Sequence, residues 1–600
     1  MDRKTIIAVV LSVVIIIGGM ILQNVLAPKK PAAALPPEKA PAAVEQPKPE
    51  VTPAPQAAPT QAPSPAAAPA VGAAPPAAEA ALSEEAVTLE NEVMRVRFTN
   101  RGGDVTSIQL KDFKNPDGSL VDMVFAKDTG LRPFSLHFGD QNAEPVNALF
   151  RVERAVSANG VAFTQTFTSP SGVPFTVRKS YLLQPNDYMI ELRVAIENSI
   201  NEYPDLNFNG ISYTVGWAPQ IGPAFARLDR QVDYRSYMYY ADGKKRDVRM
   251  PKEGLQPIKS RVTWAAIAGK YFEVIAVPDA TQYVLTYDTQ PLPDLKDRSS
   301  LYFSRPEIKS SKNTDVFRFY VGPKKQEILA RYNDSAKNGF KLSDMHFEDS
   351  IPSSRLIGWL ANILKFFLEL FYKAVPNYGV AILLLTLLIK LLFWPLTNKS
   401  FESTAKMQAL QPKIKELQAK YKNNPQRMNQ EMAALYKKEG VSPLGGCLPL
   451  LLQVPIFFAL YNLLSTHFEL RAAPFIHGWI NDLSAPESIW DFAPFHIPIV
   501  GWHNLRVLPF LMLGTTFLQT KVSQSSTPTD RNMALMTYAM PIVFFFILYD
   551  MPSGLVLYWT AQNILGIVQQ MYVNWRRRKK AEAAAAQAQA SEPWKYPKRK

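Results

Sequence analysis

The sequence predicts a polytopic α-helical membrane protein of six spans, five of them in one core, with a large periplasmic antiparallel β-sandwich domain. Three observations predict it. Apolar runs cluster at the N-terminus and beyond residue 375, and several approach the roughly 20 residues that cross a bilayer. Between them, apolar and polar residues alternate with period two, as in half-buried strands. The charge is lopsided as well: 66 Lys and Arg against 52 Asp and Glu give a net +14. In a membrane protein such an excess marks cytoplasmic loops before it marks nucleic acid.

Composition narrows the chemistry. The single cysteine, Cys447, excludes any intrachain disulfide, so the soluble part depends on its core. Six scattered histidines show no metal-ligand spacing, and no GxxxxGK[ST] run is present. No metal, no cofactor and no enzymatic centre is expected.

Residues 1–28 read as a transmembrane anchor. TIIAVVLSVVIIIGGMILQNVLA is longer than the 7–15 apolar residues of a signal peptide. Residues 29–81 are Ala- and Pro-rich, with 14 prolines between 31 and 80, which forbids helix and predicts a semi-extended tether. Residues 82–350 carry the period-two pattern. Ile190, Leu192, Val194 and Ile196 alternate with Glu191, Arg193, Ala195 and Glu197, and Pro170-Ser171-Gly172 and Pro185-Asn186-Asp187 read as turns. A sandwich of this size suits a glycan-binding module, but no paired acids mark a catalytic site, so a structural or docking domain is preferred.

Residues 351–376 read as an interfacial amphipathic helix. Arg355, Gly358, Asn362, Lys365, Glu369 and Lys373 form one polar stripe, with Glu369 and Lys373 spaced as an i,i+4 pair. Residues 377–575 form the five-span core. Its first span, YGVAILLLTLLIKLLFWPLT at 378–397, contains Lys390, with Thr386 one turn earlier on the same face. The basic segment 398–441 reads as a helical hairpin broken at Asn423-Asn424-Pro425, with Met407, Leu410, Ile414, Leu417 and Tyr421 on one seam. Residues 467–504 hold one Arg and four acids and are placed outside, whereas the basic tail, 576–600, is placed inside. Counting back puts both termini in the cytoplasm and the sandwich in the periplasm.

An ammonium at membrane depth costs roughly 3 kcal/mol on insertion scales. Lys390 either snorkels to the headgroups or faces a wet cavity. The other spans carry Gln453, Thr515, Gln519, Gln562 and Asn563, but no Asp or Glu to neutralise it. Taken singly these are interhelical hydrogen-bonding residues. Together they point to a shared hydrated site that an acidic segment would enter.

The runs LQPKIKELQAKY, SPLGGCLPLLLQVPIFFALYNLL and MPSGLVLYW, with Asn100-Arg101-Gly102-Gly103-Asp104-Val105 upstream, closely resemble the YidC family of bacterial membrane-protein insertases. The resemblance implies a groove open to cytoplasm and lipid and closed towards the periplasm. A basic residue there receives a substrate's short extracellular segment. Lys390 stands where the family usually has arginine, keeping charge but losing the bidentate fork. Thr386 matches the groove threonine, and Tyr558 and Trp559 match an aromatic pair. The expected groove is therefore Lys390, Thr386, Gln453, Gln519, Tyr558, Trp559 and Gln562. The implied partners are nascent membrane proteins, the Sec translocon, the lipid bilayer and, through the basic tail, the ribosome. The alternatives are a solute transporter or channel, or a periplasmic glycan-binding membrane protein.

Overall fold

A computed structural model of the chain describes residues 72–73, 82–115, 117–125, 130–154, 159–198, 205–225, 228, 233–278, 283–352, 357–441, 448–493, 495–497, 501–523 and 531–590. The expected anchor 1–28, nearly all of the tether, residues 442–447 and the end of the tail lie outside the described residues.

The alternating region folds into antiparallel strands, as its period demands. They form three sheets rather than two plain layers. A ten-stranded sheet is built around Met189–Glu197, Lys312–Pro323 and Phe272–Pro278. One four-stranded sheet joins Leu206–Trp217, Ser300–Ile308, Val284–Asp288 and Leu255–Ile258. Another joins Ala86–Glu90, Met94–Thr99, Asp104–Lys114 and Leu120–Asp122. Both small sheets pack on the large one through rings. Phe303 meets Phe317 at 5.6 Å, and Phe98 meets Tyr181 at 4.7 Å. Asn186, with φ 52°, makes the turn before Met189. Glu191 was expected at the surface, but it is buried between Arg193 and Arg318, each donating at 2.8 Å. Period two separates the faces of a strand, but it does not say which faces another layer covers.

The Asn100–Val105 motif has a physical account. Gly102 and Gly103 are left-handed, at φ 71° and 60°, a region glycine enters without strain. A Cβ on Gly102 would sit 2.6 Å from the Val146 carbonyl. The turn delivers Asp104 to Lys179, both buried, at 2.7 Å. Lys179 Nζ also donates to the Gly102 and Phe134 carbonyls at 2.8 Å, which uses all three of its protons. Ser135 donates to the other Asp104 oxygen at 2.8 Å.

The helical part begins with α1 (Gly358–Ala374), α2 (Tyr378–Leu392) and α3 (Trp394–Ala409). It continues with α4 (Gln411–Lys420), α5 (Pro425–Lys438), α6 (Leu448–Thr466), α7 (Leu508–Ser523), α8 (Arg531–Leu548) and α9 (Ser553–Ala590). The span expected at 378–397 is not one rod. It breaks at Phe393, and α2 and α3 are bent by 64°. Pro395 supplies the reason: it fits the first turn of a new helix but not the interior of an old one. The basic segment therefore starts as a helix at Trp394, earlier than its charges suggest. No single described helix is long and apolar enough to cross a membrane, whereas the α2–α3 pair is so by length and composition.

The amphipathic helix α1 buries Leu364 and Leu368 and packs on α2 and α6. Glu369 pairs with Lys365 at 3.5 Å, not with the expected Lys373. In the hairpin, Asn424 accepts from the Arg427 amide at 3.1 Å and Pro425 opens α5, so the expected breaker is a helix cap. Leu410 and Ile414 of the expected seam are buried, and Lys413 bridges Glu439 at 2.9 Å.

Removing one partner of a buried pair leaves an uncompensated charge. Asp104→Ala is expected to destabilise the β-domain by about 3–5 kcal/mol, measured by denaturation of the full chain. Replacing both partners with apolar residues is expected to recover most of that loss.

Glu273 gives a pH signature. Burial raises its carboxyl from 4.5 to about 7, against the pull of nearby Lys324 and a hydrogen bond from Ser350 at 2.9 Å. Between pH 4.5 and 7 the unfolded chain releases a proton that the folded chain keeps, so stability falls as pH rises through this window. Glu273→Gln is expected to remove a slope worth on the order of 3 kcal/mol, read as the variant-minus-wild-type difference in unfolding free energy at pH 4.5 and pH 8.

Candidate functional site

Four helices bring polar side chains to one place. Lys390 from the end of α2, Gln453 from α6, Gln519 from α7 and Gln562 from α9 line a single cavity. Ile389, Phe393, Leu396, Thr397, Phe401, Leu452 and Ile456 form the rest of its wall. Among the described residues, no Asp or Glu lines it. The sequence places these residues up to 172 positions apart (562 − 390). The apolar faces of the helices close around the site and leave the polar ends facing one another.

The remaining expected residues stand around this cavity rather than in it. Thr386 is fully buried, and its hydroxyl donates to the Ile382 carbonyl of its own helix at 2.6 Å. Tyr558 is buried behind the wall. It accepts from Gln562 at 3.4 Å, so it holds one cavity amide from behind. Trp559 faces Phe457 at 5.4 Å and Phe544 at 5.5 Å, in an aromatic cluster.

Other polar residues at this depth serve as fasteners. Asn563 donates to Thr516 at 2.8 Å and Thr515 at 3.2 Å, joining α9 to α7. Gln569 donates to Asn398 at 2.8 Å and joins α9 to α3. Sequence reasoning missed three contributors to the cavity: Thr397, Phe401 and the break at Phe393 that turns them inward. Pro395 was the available signal.

The opposite ends of these helices are closed. Phe475, in the loop 467–504, lies over Gly379 at the start of α2, where a Cβ would come within 2.1 Å of the ring. Asn377 caps α2 and donates to the Phe475 carbonyl at 3.2 Å. The Ser553 and Gly554 amides donate to Ala485 and Leu483 at 2.8 and 2.9 Å, and Glu487 accepts from the Leu508 amide at 2.7 Å. One loop therefore covers the starts of α2, α7 and α9, and the Lys390 cavity sits away from it.

The same loop joins the β-domain. Phe468 packs on Phe113 at 5.1 Å and on Phe272 at 5.5 Å. Lys325 bridges Glu469 at 2.7 Å, and Arg471 donates to the Lys114 carbonyl at 2.8 Å. His467 lies buried beside this seam, 3.9 Å from Glu369. Burial and nearby Lys365 push the imidazole down to about 4, so at neutral pH this contact is not an ion pair.

Residues 370–581 match the family model described as "60Kd inner membrane protein", and residues 86–365 match "YidC periplasmic domain". The curated membrane protein insertase YidC of Treponema denticola is 38% identical over 508 residues, covering 83% of this chain and 87% of that one. The protein of the same name from Treponema pallidum is 34% identical, covering 95% of this chain and 98% of its own. That from Endomicrobium trichonymphae is 32% identical, covering 82% and 85%. With both halves matched and relatives aligned along most of their length, the chain belongs to the YidC family of membrane protein insertases.

Proposed function

We propose that this chain inserts proteins into the bacterial inner membrane by offering a short polar segment a hydrated, positively charged site within the helices. The observation that carries the reading is the cavity that groups Lys390 with Gln453, Gln519 and Gln562 and contains no carboxylate. Such a site attracts an acidic segment and shortens the low-dielectric path it must cross. The attached apolar helix then partitions into lipid, at roughly 25 cal/mol per Å² buried. Membrane potential adds about 2.3 kcal/mol per charge per 100 mV. Partition and potential drive the process, with no bond made or broken by the protein.

The topology that fits has six spans, with both termini cytoplasmic and the β-domain periplasmic. The anchor is 1–28, the tether 29–81, the interfacial helix 351–376, the core 377–575 and the basic tail 576–600. The closed outer loop and the cavity at the other helix ends support this orientation, because a nascent chain arrives from the cytoplasm. The basic hairpin and tail suit phosphate contacts with ribosomal RNA, and action beside the Sec translocon accords with the family.

The test is insertion of a single-span protein with an acidic tail into proteoliposomes, scored by protease protection. Lys390→Glu is expected to lower insertion about tenfold or more, since 1.4 kcal/mol of repulsion suffices for that, and Lys390→Ala to lower it less. Equal insertion by all three proteins would remove Lys390 from the mechanism. Ion or solute flux without insertion would favour a channel or transporter.

A further inference from the structure

We infer that Gly566 is a positioning residue for the groove: its missing side chain leaves the space in which the Lys390 ammonium and the Gln519 amide lie against α9. This rests on the insertase reading above. Gly566 is buried, one turn after Gln562 and on the same face. A Cβ built there would meet Gln519 Nε2 at 2.6 Å and lie 3.5 Å from Lys390 Nζ. Those are the two polar tips that α7 and α2 contribute to the cavity. Both are the far ends of flexible side chains. A methyl group at this position therefore displaces them without forcing the helices apart.

Glycine within a helix is otherwise a liability, about 1 kcal/mol worse than alanine. Gly566→Ala should thus hold the fold at least as firmly as wild type while moving the charged and polar groups that a substrate meets. A lysine, unlike an arginine, presents a compact point charge on a flexible stem. Its reach into the cavity depends on what blocks its path, so Gly566 tunes attraction for carboxylate-bearing segments rather than insertion in general.

Gly514 provides the control. It lies on α7, in the same helical core, and a Cβ there meets nothing within 4 Å. Proteoliposomes holding wild type, Gly566→Ala or Gly514→Ala would be given two single-span test proteins. These differ only in the translocated tail, which carries aspartates in one and asparagines in the other. The measured quantity is the ratio of acidic to neutral insertion, with thermal unfolding of each variant as a second reading. Gly566→Ala is expected to lower the ratio about tenfold or more, as loss of one charge-assisted hydrogen bond would, with no loss of thermal stability. Gly514→Ala is expected to leave the ratio at the wild-type value. An unchanged ratio in Gly566→Ala, or equal loss for both tails, overturns this inference while the insertase reading stands. If wild type inserts neither protein, the reading and the inference fall together.

Discussion

An ammonium enclosed by apolar helices needs water or an anion beside it, and the arrangement around Lys390 follows from that constraint. No carboxylate lines its cavity, and three glutamines do. Amides hydrogen-bond to water and to polar backbone without cancelling the charge, which in the proposed mechanism leaves the site attractive to an incoming acid. A carboxylate in their place would bind Lys390 tightly and remove that attraction. Tyr558 then holds one of the glutamines, Gln562, from behind.

A cavity of this kind works only if it is closed on one side. The closure here is made of backbone and ring contacts rather than charges. Phe475 seats on Gly379, and the loop 467–504 takes up free amides at the starts of α7 and α9. The first amides of a helix lack partners within it, and the loop supplies them. Phe468, Arg471 and Lys325 fasten that loop to the β-domain. The large domain therefore braces the closed end of the core. Its own stability comes from an aromatic core, in a chain with one cysteine, while the buried Lys179–Asp104 pair fixes the Gly102-Gly103 turn against its neighbours.

Much of the fold was legible because it rests on local periodicity. Period-two alternation marked the strands, and Asn423-Asn424-Pro425 marked the break in the hairpin. The misses have one cause. Glu191 at a polar strand position is buried, and Glu369 pairs with Lys365 rather than Lys373. In both cases local spacing offered more than one partner or face, and packing between distant segments chose. The break at Phe393 is the exception, since Pro395 was visible in the chain but was read as the edge of one span.

The candidate site divides the same way. That Lys390, Gln453, Gln519 and Gln562 are too polar for their surroundings follows from the sequence, because the cost of a charge or amide in an apolar run is a property of the run. Which of the polar residues share one cavity does not follow. Thr386 satisfies itself within α2, Asn563 and Gln569 fasten helices together, and Trp559 joins a ring cluster. The sequence determined that a lysine and several amides sit in apolar runs and call for a polar site among these helices. Only the tertiary structure decided its members and its closed end, because side-chain direction at membrane depth is set by how four separate helices pack.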